Sequence, residues 1–124
     1  MIKIEDLRND KNYHGFAHTL SESDERIPHF LEQREKNGFD DTETWSLYNT
    51  IVSFTLPRLK HFREVLAGYP GGMTQDEWEE ILDKMIYSFQ MIEDDKIIGI
   101  SKEENDKLNE GLDLFREYIF QLWW

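Results

Sequence analysis

Apolar residues recur at helical spacing through most of the chain. From Ser101 onward, Leu108, Leu112, Phe115, Ile119 and Leu122 step by four and three, which lays one apolar stripe along a helix predicted over about 101–123. Ser101 and Glu104 stand at capping-box spacing and set its start. The same grammar repeats upstream. Thr74 and Glu77 form a second capping box, Met73 and Trp78 a hydrophobic staple, and Ile81, Leu82, Met85, Ile86, Phe89 and Ile92 a core stripe, which together predict a helix over about 74–93. A short helix over about 28–37 opens at Pro28, a favoured first-turn residue, and stops at Asn37-Gly38. Residues 1–26 show no sustained period and read as mostly irregular, with a short strand or turn at Ile2 to Ile4. Lys96 to Ile100 is apolar around Gly99 and reads as a buried loop or short extended piece.

The remaining helix, about 42–67, carries two apolar faces. Trp45, Tyr48, Val52, Leu56, Leu59 and Leu66 make one, and Leu47, Ile51, Phe54 and Val65 an adjacent one, which predicts the central helix of a bundle. Pro57 lies inside it and cannot donate to the Ser53 carbonyl, so a kink is expected there. Arg58 falls within the second apolar face, where a buried guanidinium would need an anion. The expected architecture is all-α: one domain over 1–124, a compact bundle of three long helices plus one short helix, with an irregular N-terminal segment.

Composition narrows the function classes. With 124 residues, the chain can bury one core, and eight Phe, five Tyr and four Trp supply the large side chains it needs. Lys and Arg total 14 against 26 Asp and Glu, a net charge of -12, so direct binding to nucleic acid or to anionic lipid is disfavoured. A macromolecular partner is then expected to be basic. No cysteine is present, which excludes a thiol nucleophile and a disulfide framework and fits a reducing compartment. The N-terminal stretch is charged throughout and no run approaches a membrane span of about 20 apolar residues, so the expected location is cytoplasmic, with no membrane partner.

Two charged constellations are candidates for a site. Arg58, Lys60, His61 and Arg63 form the densest positive cluster. Either Arg58 pairs with an Asp or Glu of its own chain, its stem packed and its head reaching the surface, or the four form an anion pocket for a small phosphate-bearing nucleotide. The second constellation is acidic: Glu79, Glu80, Asp83, Glu110, Asp113 and Glu117 lie opposite the apolar stripes of their helices. Such a face is either simply solvated or an interaction face that imitates a phosphate backbone before a basic groove. Glu79-Glu80-x-x-Asp83 and Glu110-x-x-Asp113 also resemble the acidic motifs of all-α nucleotide pyrophosphohydrolases, whose carboxylates on facing helices hold magnesium. The wheel turns them away from the core. His14 and His18 have metal-ligand spacing but lie around Gly15 in a segment with no clear helix, and they read as packing or surface residues. No catalytic residue, metal site or cofactor is expected.

Several blocks in order carry a resemblance. Trp45-Ser46-Leu47, Pro57-Arg58-Leu59-Lys60-His61-Phe62, Thr74-x-x-Glu77-Trp78 and Glu110-Gly111-Leu112-x-Leu114-Phe115-x-x-Tyr118, ending in Leu122-Trp123-Trp124, resemble a family of small, uncharacterised phage-encoded proteins. The resemblance covers the chain from about residue 40 onward. It implies a phage context and transfers no catalytic residue. Small acidic helical phage proteins often act by blocking a host component. The expectation is therefore a non-enzymatic binding protein that antagonises a host nucleic-acid-dependent defence system through its acidic face, its partner a basic host protein or nucleic-acid enzyme. The alternatives are a protein that sequesters a small anionic nucleotide near Arg58 and a magnesium-dependent nucleotide pyrophosphohydrolase. A homodimer is left open.

Overall fold

The computed structural model describes residues 1–123; Trp124, the last residue of the resemblance, lies outside them. The chain is all-helical, 67% helix, with no strand among the described residues. Four of the six α-helices have seven residues or more, matching three long helices and one shorter one. The chain forms two compact units, 1–54 and 55–124, whose boundary falls inside a helix.

The first unit begins with a helix where an irregular segment was expected. α1 (Ile4–Asn9) is a single short stretch, started by Lys3 N donating to the Asp6 carboxylate at 2.8 Å. Its Leu7 is buried with Tyr13, Ala17 and Phe30, and Ile2 and Ile4 pack against that cluster. Ile2 to Ile4 is therefore no strand. A helix this short is marginal alone, so its burial sustains it. A 3-10 turn follows at Ala17–Thr19. α2 (Ile27–Asn37) has Pro28 in its first turn and closes on Gly38 at φ 82, whose N–H reaches the Arg34 carbonyl at 2.8 Å.

The predicted 42–67 helix is two helices. α3 (Thr42–Trp45) stops at Ser46, whose φ of -123 and ψ of 65 leave the helical region, and α4 (Leu47–Val65) starts afresh and runs through Pro57. Of its first apolar face, Val52, Leu56 and Leu59 are buried, while Trp45 and Tyr48 are about half exposed. The second face is not buried. Leu47, Ile51 and Phe54 are each 50–52% exposed and Val65 is 40% exposed, so this part of α4 is a surface and not the encircled centre of a bundle. Arg58 is exposed with it, which removes the premise that its charge is buried.

In the second unit, α5 (Gln75–Glu93) and α6 (Lys102–Tyr118) begin as their caps dictate. Thr74 Oγ1 accepts from Glu77 N, and Ser101 and Glu104 form the reciprocal capping box. Leu59, Trp78, Leu82 and Met85 form the core, with Met73, Ile81, Ile86, Leu114, Phe115, Tyr118 and Leu122 packed on it. α6 ends at Tyr118 and tightens into a 3-10 turn at Ile119–Gln121, leaving Ile119 44% exposed. The stripe predicted to reach 123 is thus buried only as far as its first part, with Leu122 returning to the core. No described helix is long and apolar enough to cross a membrane.

Candidate interaction surface

The seam between α5 and α6 decides which residues face out. Gly111 lies so close to α5 that an added Cβ would overlap Ser88 Oγ and the Lys84 carbonyl. Ser88 is fully buried and donates to the Leu108 carbonyl at 2.7 Å. Phe89 and Phe115 pack at 4.8 Å between ring centroids and Trp78 meets Tyr118 edge-on at 5.7 Å. With Leu108 and Gly111 turned inward, Asp106, Glu110, Asp113 and Glu117 form an exposed row on α6 at steps of four, three and four. At 1.5 Å of rise per residue the carboxylates recur every ~4.5–6 Å of axis, the same order as the 3.4 Å phosphate repeat along one DNA strand.

The six predicted acidic residues do not form one free face. Glu79 and Asp83 are drawn to Arg63, whose Nε donates to Asp83 at 3.0 Å while Nη2 lies 3.6 Å from Glu79. The Asp83 hydrogen bond raises the Arg63 pKa further. Glu80 and Glu110 converge from two helices on Lys84 Nζ, at 3.5 and 3.2 Å. Glu110, the stronger partner, raises the Lys84 pKa. Asp113 and Glu117 have no basic partner among the described residues. Between the acidic pairs that resembled magnesium ligands there is accordingly an ammonium, and no three His, Asp or Glu side chains gather at metal-binding reach among the described residues.

The positive cluster is spread over separate neighbours. Lys60 Nζ donates to Gln90 Oε1 at 2.6 Å, Arg63 serves α5, and His61 lies 3.9 Å from Glu64. Arg58 is engaged as well. Lys60, His61 and Arg63 thus each engage a different neighbour.

One cleft of this unit had no counterpart in the sequence reading. Ala67, Gly68, Tyr69, Pro70, Gly71, Trp78, Gln121 and Trp123 line a space of about 560 Å³. Tyr69 and Trp123 are more than half exposed, and no lining residue is charged. Exposed aromatic faces without a competing cation suit a guanidinium or ammonium group. The signal available in the sequence was an aromatic residue held between glycines and proline at Gly68-Tyr69-Pro70-Gly71.

The first unit holds a buried polar network of a different character. Tyr13 OH donates to Asp40 Oδ2 at 2.9 Å and accepts from Ala17 N, while Thr42 Oγ1 donates to Asp40 Oδ1 and accepts from Phe16 N. Burial is the main cause that pushes the Tyr13 phenol up to about 12. Arg34 stacks on the Tyr13 ring at 4.8 Å and pairs with Glu43 at 2.7 Å, and Glu43 also accepts from Asp40 N. A Cβ on Gly15 would overlap Thr42 Oγ1, so glycine is required at this spot. His14 and His18 flank the network as ring-packing residues, edge-on to Phe54 and Tyr13, with His14 Nε2 and His18 Nδ1 buried and without hydrogen bonds. Every polar atom of Asp40 is enclosed, and the network has a structural role.

Comparison with protein-family models, curated proteins and solved structures finds no match for this chain.

Proposed function

We propose that this is a non-enzymatic binding protein that presents the α6 carboxylate row to a basic protein surface, in the place nucleic acid would occupy. The supporting observation is Asp113 and Glu117, exposed and without a cationic partner among the described residues, in line with Asp106 and Glu110 on a helix seated by the Gly111 contact. A net charge of -12 adds long-range attraction to a cationic partner. The cleft of Tyr69 and Trp123 lies one turn beyond Glu117 through Gln121 and offers aromatic faces to an arginine or lysine of the same partner. The scaffold in this reading is a bundle of α5, α6 and the second half of α4. On the resemblance to small phage-encoded proteins, the partner is a nucleic-acid enzyme of a host defence system, and binding blocks it.

Calorimetric titration with an arginine-rich peptide at about 50 and about 200 mM salt tests this, because contacts of several charges lose orders of magnitude in affinity over that range. Binding at low salt that falls at least tenfold at the higher salt is expected. Absence of binding at low salt contradicts the proposal. Magnesium-dependent hydrolysis of a nucleoside triphosphate, abolished in Glu80→Gln, would replace it with the pyrophosphohydrolase reading.

A further inference from the structure

The cleft beside Tyr69 and Trp123 has an electrostatic character as well as an aromatic one. α4 ends at Val65, two residues before Ala67 enters the lining, and α6 passes through its 3-10 turn into Gln121 and Trp123. Two helices therefore bring their carbonyl ends, the negative ends of their dipoles, to this one cleft. α5 brings its opposite end there through Trp78, but Asp76 and Glu77 in its first turn offset that positive field. At Gly68 and Gly71 an added Cβ meets nothing within 4 Å, so the backbone of this wall stands open, and each of its carbonyl oxygens has two lone pairs. Tyr69 is 55% and Trp123 75% exposed, and neither ring stacks on another among the described residues.

We propose that the cleft receives one arginine side chain of the basic partner, its guanidinium laid on an aromatic face of Tyr69 or Trp123 and its N–H groups donating to backbone carbonyls of the wall. The inference rests on the basic-partner reading and names the residue that anchors it. Ring faces and helix carbonyl ends both carry negative potential, and both favour a cation over a neutral group of the same size. An aliphatic or aromatic side chain would bury area here and gain nothing from the carbonyls. A nucleotide could stack its base, yet its phosphate would meet no lining cation on a chain of net charge -12. Between the two basic side chains the lining decides. A lysine ammonium is compact and strongly hydrated, and no carboxylate lines the cleft to replace its water; a guanidinium is flat, weakly hydrated and supplied with five donors. The chain itself makes this contact twice, with Arg34 over Tyr13 at 4.8 Å and Arg26 over Trp45 at 5.7 Å.

Calorimetry with an arginine-rich peptide and a lysine-rich peptide of equal length and charge tests the anchor. The arginine peptide is expected to bind about threefold to tenfold tighter. Arginine also pairs better with carboxylates, so the deciding variant is Tyr69→Ala combined with Trp123→Ala, both exposed and expected to leave the circular dichroism spectrum unchanged. There the preference should fall to within about twofold, while Asp113→Lys combined with Glu117→Lys should keep it. A preference that survives loss of both rings overturns the proposal. A second arm uses the unsubstituted chain and no peptide. N-acetylarginine methylamide is expected to shift the Trp123 indole N–H resonance saturably, its lysine counterpart to do so only at higher concentration, and its norleucine counterpart not at all. No shift with the arginine probe, or an equal shift with norleucine, overturns the proposal. Failure of the two readings differs: peptides that bind without any ring dependence leave the acidic row and remove the anchor, whereas a probe that binds while no basic peptide does removes the proposed function and keeps the cleft as a guanidinium site.

Discussion

Gly111 of α6 lies against Ser88 of α5 with no room for a side chain between them. Ser88 uses that proximity to donate its hydroxyl to the Leu108 carbonyl at 2.7 Å. The pair sets how deeply α6 sits on α5. It thereby fixes the outward aim of Asp113 and Glu117, each on the flank of the helix opposite the seam.

Gly111→Ala is expected to destabilise the fold. On an open helix the same change stabilises by up to about 1 kcal/mol. Here the new methyl meets the Lys84 carbonyl and Ser88, and overpacking of a tight contact costs about 1–3 kcal/mol. Urea unfolding should show a lower midpoint with an unchanged slope. A raised midpoint would contradict the close approach.

The helical part of this structure was legible wherever the signal was local. Ser101 with Glu104 and Thr74 with Glu77 sit three residues apart; the first pair forms the full capping box, and of the second only the bond from Glu77 N to the Thr74 hydroxyl is formed. Gly38 ends α2 for an equally local reason, a positive φ that glycine tolerates. What could not be read depends on distant partners. α1 exists because Leu7 is buried with Phe30, and Tyr13 meets Asp40 and Thr42 across 27 and 29 residues. The break at Ser46 carries no glycine or proline to announce it. The second apolar face of α4 was read as buried because periodicity marks an apolar face without saying what covers it; the same error made Arg58 a buried charge. The acidic face was seen as a set of positions, but its division into neutralised and free carboxylates rests on Arg63 and Lys84 reaching across from other residues.

Tyr13→Phe should cost about 1–3 kcal/mol, because the buried Ala17 N–H loses its acceptor and Asp40 loses a donor. The parent should also be the more alkali-sensitive protein. Its phenol is held up to about 12 against 10.0 for the ordinary group. The stability that comes from keeping Tyr13 neutral is therefore complete below pH 10 and is lost as the pH rises toward about 12. Urea midpoints measured across that range should fall more steeply for the parent than for Tyr13→Phe. Parallel curves would contradict the buried, neutral phenol.

Arg63→Gln should leave stability within about 1 kcal/mol of the parent, since its ion pairs lie at the surface. It also releases Asp83 and Glu79 from their counter-ion. Affinity for an arginine-rich peptide should rise by about twofold to fivefold, the worth of one exposed charge pair. Weaker binding would mean that Arg63 itself contacts the partner.

The most direct measurement of the central claim is the affinity of that peptide for Asp113→Lys combined with Glu117→Lys, set against Glu32→Lys combined with Glu35→Lys in α2 as an equal change in net charge. All four positions are exposed, and circular dichroism should confirm an intact fold. Reversal on α6 is expected to weaken binding by at least about tenfold, while the α2 control should shift it by no more than about threefold through the change in overall charge. Equal losses in the two variants would show that net charge alone attracts the peptide and that the row on α6 is a solvated surface.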